Sequence, residues 1–184
     1  MRQLEHREIN NPTVTHPLSL LCPDWRDPRN VGSAFRLADA AGLTELLLTG
    51  STPLPPNPKI AKTARSTVRS VSWSYHADAV GLLRERRAAG TLVLALEITD
   101  ASISLFDADA LTALFTNSNG AAAGCRQVIV IAGSEATGVS PEILAECDAA
   151  VHLPMFGRNT SMNVAVALGA AVYLLLRCFR FEKF

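Results

Sequence analysis

Three stretches of the chain hold residues whose types and spacing suit chemistry. The first, Asp27-Pro-Arg-Asn-Val-Gly-Ser-Ala-Phe-Arg36, directly follows an apolar run. Asn30 falls where a helix N-cap is expected, and the free N–H groups of a helix's first turn make a natural anion site. Gly32 lets a ligand approach that backbone, and Arg36, about two helical turns beyond Arg29, brings two guanidinium groups within reach of one phosphate. The second stretch, Gly133-Ser-Glu-Ala-Thr-Gly138, follows another apolar run. Val139-Ser140 stands where a phosphate-binding loop needs Lys-Ser/Thr, and the chain has no dinucleotide glycine fingerprint, which disfavours both nucleotide chemistries. Glu135, between the two glycines, is a candidate proton acceptor. The third stretch, Leu153-Pro-Met-Phe-Gly-Arg-Asn-Thr-Ser-Met-Asn163, sets Thr160, Ser161 and Asn163 before a strongly apolar helix.

Each stretch also has a plain structural account. Asn30 would be a cap, Arg36 a solvated cation and Gly42 a helix stop; Glu135 would be a loop carboxylate, and Thr160, Ser161 and Asn163 would be caps. Polar side chains beside a buried helix are costly unless they bond something, and a ligand is one such partner.

The elements that must position these residues alternate. Apolar runs at 18–22, 45–49, 91–96, 127–132 and 149–153 predict buried parallel strands, with 71–75 as a further candidate. Helical patterns occupy 31–41, 78–89, 107–115 and 141–147 between them. The class is therefore α/β with a mostly parallel sheet. The proline-rich segment 51–58 and the small, polar segment 117–124 read as irregular. The last helix, 162–178, is apolar nearly all round, which predicts burial on every side, within the domain or under a partner subunit.

Composition narrows the function. A chain of 184 residues suits a single domain over 1–184 that carries both binding and chemistry. Seventeen cations balance seventeen anions, so no global basic field holds the molecule on nucleic acid and any such contact is a local patch. The four cysteines form no C-x-x-C pair and no metal-ligand spacing, which predicts no metal and reduced, mostly buried thiols in a cytoplasmic protein. The polar N-terminus is unlike a signal peptide, and the apolar run 164–176 falls short of the roughly 20 residues of a membrane span.

Together the three stretches resemble the three motifs of the SpoU/TrmH branch of the SPOUT RNA methyltransferases. N-V-G-S-A-F-R-L-A-D-A-A-G is similar to the first motif, I-A-G-S-E-A-T-G-V-S to the second and L-P-M-F-G-R-N-T-S-M-N-V-A-V-A to the third, in the family's order and spacing. The segment 50–64 is similar to the one that follows the second strand in small bacterial members. The resemblance implies an α/β SPOUT fold, a mostly parallel sheet with helices on both faces and a C-terminal trefoil knot. It implies a homodimer formed through the first and last helices. It also implies S-adenosylmethionine in the knot against Leu96, Glu97, Gly133, Leu153, Met155, Ser161 and Met162. The catalytic set it implies is Asn30, Arg36, Glu135, Ser161 and Asn163, acting on a ribose 2′-hydroxyl of tRNA or rRNA. The chain departs from the pattern at Ser134, where Asn is common, and at Arg65-Ser66-Thr67, where many members have small residues including Gly-Ala.

Within that resemblance Arg36, whose guanidinium is effectively always charged, is expected to stabilise the developing alkoxide and grip the adjacent phosphate rather than to accept a proton. Glu135 is expected to accept the proton or to orient Arg36. The competing reading is a non-catalytic RNA-binding protein that keeps the knotted fold, and bound cofactor and methylated product separate the two.

Overall fold

The computed structural model describes residues 1–5, 8–9, 14–116 and 127–179. The apolar runs form one parallel sheet of β1 (His16–Pro23), β2 (Leu43–Thr49), β3 (Trp73–His76), β4 (Leu92–Leu96), β5 (Ile103–Ser104), β6 (Val128–Ala132) and β7 (Ala149–His152). Its order is β3-β2-β1-β6-β4-β7-β5. The central strands are buried on both faces, as their unbroken Leu, Ile and Val runs require. Leu20, Leu94 and Val130 point into one core, which also holds Phe35 of α1 (Pro28–Ala40) and Leu168 and Val172 of α6 (Val164–Leu176). Leu21, Val93 and Ile131 point into the other, with Leu83 of α3 (Ala79–Ala88) and Ile143 of α5 (Pro141–Leu144). The class is thus α/β, with helices on both faces of the sheet.

The register around β7 constrains the path of the chain. Leu96 at the end of β4 and Ile103 at the start of β5 both pair with Val151, from opposite sides. Residues 97–102 must therefore cross one face of β7 at that level. Ser102 marks the crossing, its hydroxyl 3.0 Å from His152 Nδ1.

Several elements differ from expectation. The helix α2 (Pro58–Ala64) was not anticipated; it starts as the proline run ends, with Asn57 capping the N–H groups of Lys59 and Ile60 and Pro58 in the first turn, where no N–H is needed. The expected strand at 71–75 begins at Trp73, after a 3₁₀ turn at Thr67–Arg69. The helix expected at 107–115 is α4 (Ala108–Thr116), while α5 ends three residues before the expected 147. The irregular segment 117–124 lies outside the described residues, as does Cys125.

The last helix needs the larger correction. It runs from Val164 to Leu176 rather than over 162–178, and the domain by itself does not bury it all round: Val166 is 61% and Tyr173 54% exposed, with Ala170 open between them. Those three residues share one stripe at helical spacing, so the chain alone leaves an apolar face uncovered. The thiols also differ from expectation, since Cys22 is buried but Cys147 and Cys178 are only half-buried. No helix among the described residues is long and apolar enough to cross a membrane.

Candidate active site

Three loops leave the carboxyl ends of the adjacent strands β6, β4 and β7, where open parallel sheets bind ligands. They wall a cavity of about 600 Å³. All seven residues expected to hold a cofactor line it: Leu96, Glu97, Gly133, Leu153, Met155, Ser161 and Met162. Among the expected catalytic residues, Glu135, Ser161 and Asn163 line it too, whereas Asn30 and Arg36 do not.

The loop after β6 closes on itself through reciprocal backbone hydrogen bonds of 3.0 Å between Ser134 and Gly138. A Cβ on Gly133 would fall on the backbone of Gly138 and Val139, so glycine is required for the turn itself as well as for an approaching ligand. Gly138 has φ +67°, and a Cβ there would strike the Glu97 carboxylate. Glu97 accepts from the N–H of Val139 at 2.9 Å and of Ile98 at 3.0 Å, which ties the end of β4 to the loop after β6.

Glu135 joins a second set of ties. One oxygen accepts from Arg26 N–H at 2.8 Å; the other accepts from Asp27 N–H at 3.2 Å and from Asn30 Nδ2 at 2.8 Å. Asn30 in turn accepts from Asn163 Nδ2 at 3.2 Å, while Asn163 Oδ1 caps α6 by accepting from Ala165 N–H and Val166 N–H. Asn30 thus bridges the second and third polar stretches. Desolvation raises the Glu135 carboxyl, but the bonds from Arg26 N–H, Asn30, its own N–H and Asp27 N–H together outweigh it and hold it below the usual carboxylate range. The indole of Trp25, fully buried, donates to the Ala132 carbonyl at 2.8 Å and fixes the chain before α1 against the end of β6.

Two expectations for the first stretch are corrected. Asn30 is not the N-cap of α1: Pro28 starts the helix earlier, Asp27 caps it by accepting from Arg29 N–H at 2.9 Å, and Asn30 is buried in the first turn. Arg29, expected to share a phosphate with Arg36, is paired in the free chain with Asp27 at 2.7 Å. Arg36 is exposed and has no hydrogen bond or ion pair among the described residues.

Sequence reasoning missed His152. It lines the cavity, and Ser102 Oγ lies 3.0 Å from its Nδ1. Ser102 Oγ also lies 2.9 Å from the Thr99 carbonyl, to which it can donate. Only its place at the end of a strand was a signal for it. Trp25 left no signal, since a lone aromatic reads as core.

The cavity wall holds two carboxylates, Glu97 and Glu135, and no Lys or Arg. Such a wall, of mixed polarity with a negative bias, suits a cationic ligand that also has an apolar part. Among the described residues no group of three His, Cys, Asp or Glu is placed to hold a metal ion.

A parallel sheet with this site defines the class of protein: the chain belongs to the SpoU rRNA Methylase family, whose family model matches residues 17–173. It is 28% identical over 161 residues to the 23S rRNA (guanosine-2′-O-)-methyltransferase RlmB of Ralstonia nicotianae, covering 88% of this chain and 59% of that protein. The chain thus spans about 59% of the length of the curated relative it matches. Among solved structures it is similar to the AdoMet-bound rRNA methyltransferase from Sinorhizobium meliloti, with TM-score 0.74 and 26% identity over 96% of this chain and 61% of that one. A structure described as giving insight into 2-OH methylation of C/U34 on tRNA matches with TM-score 0.69 and 26% identity, over 88% of this chain and 95% of that one.

Proposed function

We propose that this protein is an RNA methyltransferase that moves the methyl group of S-adenosylmethionine to a ribose 2′-hydroxyl of tRNA or rRNA, in the cytoplasm and as a homodimer. The observation that carries the reading is the cavity itself, with all seven residues expected at the cofactor in its wall and no cation among them. Bound there, S-adenosylmethionine supplies an electrophilic methyl carbon on a positive sulfonium. Leu96, Leu153, Met155 and Met162 offer the apolar surface for its adenosine, and the carboxylates of Glu97 and Glu135 favour its charge.

The chain's remaining task is to orient and activate a weak hydroxyl nucleophile. Glu135 does not serve as the proton acceptor in this reading, since its oxygens are occupied and its carboxyl is depressed. It clamps the start of α1 to the loop after β6. Asn30 and Asn163 act with it as positioning residues, and Ser161, on the cavity wall, faces the substrate. Arg36 stabilises the developing alkoxide, and the hydroxyl proton leaves to solvent water.

Arg36 stands outside the cavity of its own chain, and α6 has an uncovered apolar stripe. Both support a dimer through α1 and α6 in which one subunit's Arg36 serves the other's cavity. The trefoil knot belongs to this reading as well, supported by the crossing of 97–102 over β7, and so does the treatment of the chain as one domain. The test is incubation with methyl-labelled S-adenosylmethionine and total tRNA or rRNA, followed by mapping of ribose methylation. Cofactor binding with no labelled product would favour the non-catalytic RNA-binding alternative.

A further inference from the structure

The helix α2 and the turn that follows it lie along α1. Near the start Lys59 acts on Asp27, whose carboxyl is lowered chiefly by its bond to Arg29 and least by this lysine. In the middle Gly32 allows the closest approach, since a Cβ there would stand 2.7 Å from Thr63 Cβ and 2.8 Å from the Ile60 carbonyl. At the far end Ser70 Oγ donates to Asp39 at 3.0 Å. Segment 58–70 therefore runs beside α1 in the same direction, and the exposed cations Arg36 of α1 and Lys59, Lys62, Arg65 and Arg69 of that segment make up a basic ridge. None of the five has an ion pair among the described residues. The exposed carboxylate on the ridge, Asp39, already accepts from Ser70. In a chain of zero net charge this is a segregated basic patch. It begins at the segment that Glu135 ties to the cavity.

Arg65 is held on this ridge at a conformational cost. It ends α2 with φ +58° and ψ −124°, a combination outside even the left-handed helical well and open in practice to glycine. A long cation kept in such a conformation, exposed and without an ionic partner, gains nothing from the fold that glycine would not give at less strain.

We propose that Arg65, with Lys59 and Lys62, binds the phosphodiester backbone of the RNA and so carries the strand to the cavity. This rests on the methyltransferase reading and adds to it where the substrate runs. The planar fork of Arg65 grips phosphate oxygens in pairs, while the two lysines act as point charges one helical turn apart on α2. The patch is local, as a neutral chain requires, and its contribution falls with salt by counterion release.

Two substitutions separate strain from binding. Arg65→Gly removes both the strain and the charge, whereas Arg65→Gln removes the charge and keeps the strain. Binding of fluorescently labelled polyuridine, followed by anisotropy over a salt series, should weaken about tenfold in both variants, the size of one charge-assisted hydrogen bond. The slope of log affinity against log salt should become shallower by about 0.7 for each phosphate that a variant no longer neutralises. The Lys59→Ala/Lys62→Ala double variant should shift the slope further in the same sense. Thermal unfolding should show Arg65→Gly melting about 2–4 °C above the wild type and Arg65→Gln level with it. Wild-type affinity and slope in both Arg65 variants would overturn the proposal, and so would an Arg65→Gly Tm no higher than that of the wild type. Because polyuridine binding needs no methyl transfer, failure here leaves the transferase reading intact. Failure of transfer with RNA affinity retained counts against that reading alone.

Discussion

At the scale of single residues, the cavity wall holds two carboxylates and no Lys or Arg, and the cation proposed to serve it, Arg36, lies outside. Arg36 is exposed and has no ionic partner among the described residues, as its proposed role requires. Arg36→Ala should leave cofactor affinity by calorimetry unchanged and lower single-turnover transfer by about 10²–10³, the usual value of a donor aimed at developing charge. Arg36→Lys should rescue little, because Lys loses the fork. Transfer at the wild-type rate in Arg36→Ala would remove it from the reaction. Glu135 leads to a different measurement. Its folded carboxyl is depressed, so it contributes stability above the ordinary carboxylate pKa and loses that contribution as pH falls through its folded value. As pH falls below about 5, the wild type should lose Tm more steeply than Glu135→Gln, and the variant should be the less stable at neutral pH. Parallel Tm profiles for the two proteins would refute the clamp. The thiols should be quiet: burial pushes Cys22 far up and Cys147 up to about 12, so neither should react with iodoacetamide at neutral pH until the protein unfolds.

At the scale of elements, what was legible in the sequence follows what was buried. The strands β1, β2, β4 and β6 were readable because two-sided burial demands unbroken apolar runs, and the three functional loops could be placed as the segments that follow β6 and β7 and precede α1. Elements that are short or set by pairing were not readable. β5 has two residues, and its place is fixed by Val151 and His152 of β7 rather than by any pattern of its own. α2 was hidden by the prolines before it, although Asn57-Pro58 is a sound helix start. The bridging role of Asn30 was likewise out of reach, because its partners are 105 and 133 residues away in the chain. The α1–α2 seam makes its own prediction. Gly32→Val would drive side-chain atoms into Thr63 and the Ile60 carbonyl, and should cost about 1–3 kcal/mol in a denaturant titration, the range for overpacking. An unchanged midpoint would mean that the seam is looser than its geometry.

At the scale of the molecule, the proposed dimer would account both for the open stripe of α6 and for the place of Arg36 outside its own cavity. Val166→Glu would place a charge in that stripe and should convert a dimer, seen by light scattering at micromolar concentration, into monomers without transferase activity. A wild type that is already monomeric would defeat this. Mixed dimers give a finer answer. Arg36→Ala lacks the cation, and Met155→Arg fills the cavity with an unwelcome positive charge; each alone should be inactive. If the cation of one subunit serves the cavity of the other, subunit exchange between the two variants creates one site with both lesions and one with neither, and activity returns. If each subunit serves itself, every site in the mixture carries a lesion and none returns.

Trp25 gives the molecule an optical handle on these events. Its indole is fully shielded and its N–H is bonded to Ala132, the residue before Gly133, so its emission should be blue-shifted and sensitive to any movement of that carbonyl. The other tryptophan, Trp73, stands edge-on to Phe35 on the far edge strand β3, remote from the cavity. In a Trp73→Phe background the remaining fluorescence would come from beneath the loop after β6. A titration with cofactor could then be followed by intensity or lifetime without a label, in the same sample used to measure transfer.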